Sequence, residues 1–94
     1  MHVGLLVVDC WVPGSHSLKD KRRALQSVVT RLKRSFNIAV CETDYQDQWQ
    51  RARLAVVTVN TDAHMIERAF GLIGEFVERS RDLEVLSTDS ELLL

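Results

Sequence analysis

Two stretches of this chain, "HVGLLVVDCWV" at residues 2–12 and "ARLAVVTVN" at residues 52–60, are apolar at consecutive positions rather than alternate ones. Successive side chains of a β-strand point to opposite faces, so strands of this kind are apolar on both sides and belong in the middle of a sheet. Each is followed by one amphipathic helical pattern. After the first, Pro13 and Gly14 stop the strand and Ser17 supplies an N-cap, with Asp20 three residues on as a capping-box partner. Leu18, Leu25, Val28, Val29, Leu32 and Phe36 then recur at helical spacing, which predicts a helix over residues 18–35, ended by Asn37. After the second, Thr61 or Asp62 caps a helix whose core side is Ile66, Ala69, Phe70, Ile73, Phe76 and Val77.

The remaining elements are weaker. Residues 38–45, "IAVCETDY", begin as a strand and turn polar, residues 46–50 read as a connection, and residues 83–88, "LEVLST", form a last strand. The tail "DSELLL" either extends that strand or frays. The order is βαββαβ, with no repeat, linker or low-complexity tract, so residues 1–94 are expected to form one domain. Two right-handed crossovers fold this order into a four-stranded antiparallel sheet, strand order 4-1-3-2, with two helices on one face. This is an α+β, ferredoxin-like sandwich. Its strand order separates Cys10 from Cys41 by two strand spacings, about 9–10 Å, more than the roughly 7 Å a disulfide allows. Two free thiols are expected, acting as small buried hydrophobes. Gly71 and Gly74 are read as close-packing positions inside the second helix.

Two helices cover only one face of the sheet. On the central strands Leu6, Val8, Cys10, Leu54 and Val56 supply one apolar face, and Val3, Leu5, Val7, Ala55, Val57 and Val59 supply another. An uncovered apolar face calls for a partner, and a second copy of the chain is the simplest one, so a homo-oligomer is expected.

The net charge of −1 hides an asymmetry. Residues 1–36 carry seven Lys and Arg against two Asp, and residues 37–94 carry five Arg against eleven Asp and Glu. Lys19, Lys21, Arg22 and Arg23 crowd the start of the first helix, and Lys33 and Arg34 lie near its end. A helix N-terminus is already partly positive, so these six residues are candidates for binding an anion or a nucleic-acid backbone. A solvated helix surface, or acids of a neighbouring subunit, would also account for them. In "TDYQDQWQR", residues 43–51, Asp44, Asp47, Trp49 and Arg51 are candidate partner contacts, and Asp44 and Asp47 are placed to accept from Arg51 or Arg53 or from the basic helix start of a neighbouring chain. No catalytic set, cofactor or metal site is expected. His2, His16 and His64 are scattered, no nucleophile accompanies them, and the cysteines form no CxxC pair. The central strands lack the paired surface aromatics with which an RRM stacks bases, so any RNA contact would use the helix. No run is long enough to span a bilayer. The apolar start has no basic flank and is interrupted by Asp9, so a cytoplasmic protein with no membrane partner is expected.

"HSLKDKRRAL", following a strand that ends in Pro-Gly, and "TDYQDQWQRARLAVVTVN" together resemble the YlxP-like family of small bacterial proteins, a domain of unknown function. The resemblance covers nearly the whole chain. It implies a ferredoxin-like fold, in agreement with the periodicity, and it brings no catalytic residue. In many bacteria the family's gene lies among translation and ribosome-maturation genes, which implies an RNA- or ribosome-related role. Tyr45 departs from the pattern, standing where many relatives have a histidine. The resulting expectation is a nonenzymatic module that docks on RNA or a ribosomal particle through its basic helix. The alternatives are a structural or regulatory homo-oligomer that uses the open sheet face, and a small phosphate-ester hydrolase.

Overall fold

The computed structural model describes residues 1–94. Its elements run β1 (His2–Trp11), α1 (Leu18–Ser35), β2 (Ala39–Asp44), β3 (Arg51–Asn60), α2 (Ala63–Arg79) and β4 (Glu84–Leu92). The sheet order is β2-β3-β1-β4, the expected order seen from the other edge, and all three pairings are antiparallel. The fold is the ferredoxin-like sandwich. No helix is long and apolar enough to cross a membrane.

The two valine-rich strands are the central pair. Leu6, Val8 and Cys10 of β1 and Ala52, Leu54 and Val56 of β3 are buried beneath the helices. α1 closes on them with Leu25, Val28 and Leu32, and α2 with Ile66, Phe70, Ile73 and Val77. Gly4 lets α2 come this close: a Cβ there would lie 2.5 Å from Ile66 Cγ2 and 2.9 Å from Phe70 Cε2. The close-packing glycine is therefore on the strand. Gly71 and Gly74, expected to be packing positions, instead face open space: a Cβ added at either would meet nothing within 4 Å.

The tail extends the sheet. β4 runs to Leu92, and the Leu93 amide donates to the Val3 carbonyl at 2.7 Å. Both cysteines are free, but only Cys10 is a buried hydrophobe; Cys41 sits on the edge strand β2 and is exposed. Burial, and secondarily the charge of Asp9, push the Cys10 thiol up to about 12.

The other face of the sheet carries no helix. There Val3, Leu5 and Val7 of β1 lie in register with Val59, Val57 and Ala55 of β3, forming an aliphatic stripe along the sheet. The next row in the same register is Asp9 with Arg53, and the last is Trp11 with Arg51.

Candidate functional site

α1 begins with a side-chain cap at Ser17. The Asp20 amide donates to Ser17 Oγ at 3.0 Å, and the His16 amide donates to Asp20 Oδ2 at 3.0 Å. The carboxylate thus reaches one residue beyond the usual capping-box target. From this start the helical phase separates the cations. At about 100° per residue, Lys19, Arg22, Arg23, Lys33 and Arg34 fall within about 120° of one another, and Lys21 points to the opposite side.

That outer side is open. Lys19, Arg22, Arg23, Lys33 and Arg34 are all exposed, and none forms an ion pair. Gln26 and Thr30 fill the same exposed face between the two groups. The stripe extends along about 22 Å of helix. Arg31, beside it, is engaged elsewhere: its Nη2 lies 3.2 Å from Asp82 Oδ2, and its guanidinium stacks over Phe76. Arg22 also borders a cleft of about 560 Å³ between α1 and β2, with Val29, Val40 and Leu54 among its apolar lining.

Lys21 belongs to a different structure. Only 3% exposed, it lies under the helix rather than on the stripe, so its place among the anion-binding candidates is corrected. Its Nζ donates to the carbonyls of Tyr45 (2.8 Å), Arg51 (3.3 Å) and Gln46 (3.4 Å). Those three bonds use its three donors, and Glu42 Oε2, 2.9 Å away, compensates the charge as an ion pair. Lys21 therefore ties the start of α1 to the β2–β3 connection. This anchor holds Tyr45, whose φ of 65° lies in the left-handed region and is costly for a residue with a Cβ.

The open sheet face holds the same connection from the other side. Arg53 donates through Nε to Asp9 Oδ1 (3.0 Å) and through Nη2 to Asp9 Oδ2 (3.3 Å), and its Nη1 donates to Asp44 Oδ2 (3.0 Å). Arg53 also donates to the Tyr45 hydroxyl at 3.2 Å, and Ser87 Oγ donates to Asp9 Oδ2 at 3.3 Å. Hydrogen bonding to Asp9, more than to Asp44, raises the already high pKa of Arg53, against the opposing effect of burial. Arg51 stacks on the Tyr45 ring at 4.5 Å from its centroid. Asp44 and Arg51 are thus parts of one cluster, whereas Asp47 makes no ion pair and Trp49, at the tip, is 55% exposed.

The expected pairing of Asp44 with Arg53 forms, but sequence reasoning missed Asp9 and Glu42. Two signals were available. Lys21 occupies an apolar slot of α1, four residues before Leu25 and seven before Val28. Asp9 interrupts an otherwise apolar strand, which calls for a cation opposite it. No group of three or more His, Cys, Asp or Glu side chains is placed to hold a metal ion.

Among solved structures, the chain is similar to SnoaB, a cofactor-independent oxygenase from Streptomyces nogalater. The TM-score is 0.55 and the identity 12%, over 100% of this chain and 93% of that one. It is also similar to the de novo designed protein Foldit4, at a TM-score of 0.57 and 15% identity, over 97% of each chain. At such identities the likeness is one of fold. In sequence the chain is 28% identical over 89 residues to the "Uncharacterized protein YlxP" of Bacillus subtilis, covering 95% of this chain and 97% of that protein. The family model described as "Protein of unknown function (DUF503)" matches residues 3–90, and the chain belongs to that family.

Proposed function

We propose that this protein is a nonenzymatic RNA-binding module whose contact surface is the outer side of α1. The observation that carries this reading is the set of five exposed cations, Lys19, Arg22, Arg23, Lys33 and Arg34, on one face with no carboxylate partner. In a chain of net charge −1 such a face is not the by-product of a basic composition. Its cations flank a polar, uncharged middle, which suits contacts to phosphates at two points along a backbone. The apolar cleft beside Arg22 gives an unstacked base of a single-stranded segment a place out of water. The resemblance to a family whose gene neighbours act in translation favours a ribosomal RNA or a ribosomal particle as the target.

The test is affinity for ribosomal RNA and ribosomal subunits as a function of salt. Five phosphate contacts predict a slope of log affinity against log salt of roughly −3.5 for a single strand. Replacing Lys19, Arg22, Arg23, Lys33 and Arg34 with Ala removes the binding and leaves the fold intact, as read by circular dichroism. Absence of wild-type affinity at low salt overturns the reading.

A further inference from the structure

We infer that the open face of the sheet is the interface of a symmetric dimer, whose two-fold axis runs parallel to the strands between β1 and β3. The first observation is the aliphatic stripe of Val3, Leu5, Val7, Ala55, Val57 and Val59, which no helix covers. The second is where the charges stand relative to it. Asp9 and Arg53 are direct cross-strand partners, one row beyond Val7 and Ala55.

A two-fold along the strands exchanges β1 and β3. Each β1 then lies on the β3 of the second copy, with every row facing its own row. Val3, Leu5 and Val7 fall on the second copy's Val59, Val57 and Ala55. Asp9 falls on the second copy's Arg53, and Arg53 on its Asp9. The four charges alternate in sign, so each faces an opposite charge both within and between the copies. Trp11 meets the guanidinium of the second copy's Arg51, a favourable stack.

The competing axis, across the strands, reverses one copy end to end. It either sets Asp9 and Arg53 against aliphatic side chains, where charge is costly, or it slides to overlap only the three aliphatic rows. The axis along the strands uses the full length of β1, about 33 Å, and the width of four strands, about 19 Å. Counted over all four strands, that footprint is at most about 600 Å² per copy, the lower bound for a stable interface, and three rows alone fall well short of it. Asp89 and Glu91, the β4 partners of Val7 and Leu5, lie on the edge strand at the margin of that footprint, opposite the short β2 of the second copy. Both copies of α1 end up on the outside of a four-layer assembly. The dimer therefore leaves the basic stripe free, and its existence does not depend on RNA binding.

The experiment is sedimentation and light scattering of the full chain without nucleic acid. A reductant is present because Cys41 is exposed and a disulfide would mimic association. The expected mass is twice 10.7 kDa. Leu5→Asp and Val57→Asp each halve it with an unchanged far-ultraviolet spectrum, and Arg22→Asp on α1 does not alter it. Asp9→Arg and Arg53→Asp are each monomeric, because like charges meet across the axis, and an equimolar mixture of the two restores the doubled mass. A wild-type monomer at every concentration up to its solubility overturns the dimer. Retention of the doubled mass by both Leu5→Asp and Val57→Asp overturns the face. Failure of the mixture to associate overturns the axis. None of these outcomes bears on RNA affinity, which is read separately on the α1 variants.

Discussion

Lys21 and Arg22 are adjacent on one helix and carry the same charge, but they belong to different parts of the protein. Lys21 lies inside, with three carbonyls and a carboxylate around its ammonium group. Arg22 lies outside with no ion-pair partner, at the rim of a cleft. One residue of helix turns a side chain by about 100°, and that rotation separates a structural cation from one available to a ligand. A dense run of basic residues is therefore not one feature. In α1 it divides into an anchor that fastens the β2–β3 connection and a stripe that remains unpaired.

The largest test of this difference is Lys21→Met. It leaves Glu42 without its counter-charge and three carbonyls without a donor, and loss of one partner of a buried pair costs about 3–5 kcal/mol. Urea denaturation reads this as a lower midpoint with an unchanged slope. The double variant Lys21→Met/Glu42→Leu recovers part of the loss, because no charge is then left buried alone.

Glycines on the two sides of the helical layer sharpen the comparison. Gly4→Ala drives a methyl into Ile66 and Phe70 and costs about 1–3 kcal/mol by overpacking. Gly71→Ala, in open space on an exposed helical surface, stabilises by about 0.5–1 kcal/mol through helix propensity. Thermal denaturation of the two variants gives shifts of opposite sign. Equal losses at both positions would contradict the packing described for Gly4.

The cysteines extend the contrast to reactivity. Cys41, on the open sheet face beside Ala55, reacts with a thiol reagent in the folded monomeric variant Leu5→Asp, and Cys10 reacts only after unfolding. The raised Cys10 pKa also has a pH signature. Its folded value is about 12 against the usual 9.0, so the folded state favours the protonated thiol. That contribution is complete below about pH 9 and is lost as pH rises toward 12. Stability measured at pH 8 and pH 10 should fall by about 1 kcal/mol, and Cys10→Ala should remove that dependence. The smallest effect is on Arg22→Ala, which changes stability by less than about 0.5 kcal/mol while lowering RNA affinity. A large stability loss at Arg22 would erase the distinction between the inner and outer cations.

Most of the fold was legible in the residues. Consecutive apolar positions in β1 and β3 made them the central strands, and the Ser17 and Asp62 caps placed both helices within a residue or two. The tail was ambiguous because "DSELLL" has no burial to direct it. It is ordered by backbone bonds to Val3, which any sequence can make. The packing glycine was misplaced for a related reason. Small-residue spacing within α2 is visible in the sequence, but the approach of α2 to Gly4 joins positions 62 and more residues apart.

Sequence alone determined what is periodic or local in this protein: the alternation of strands and helices, the two caps, and an apolar face that two helices cannot cover. Those features follow from side-chain direction and nearest-neighbour chemistry. Tertiary structure decided what depends on pairing between distant segments. It buried Lys21 against the carbonyls of the β2–β3 connection, joined Asp9 to Arg53 across the register, and left five cations of α1 without partners. A charge has no defined role until the fold sets its distance from water and from opposite charge.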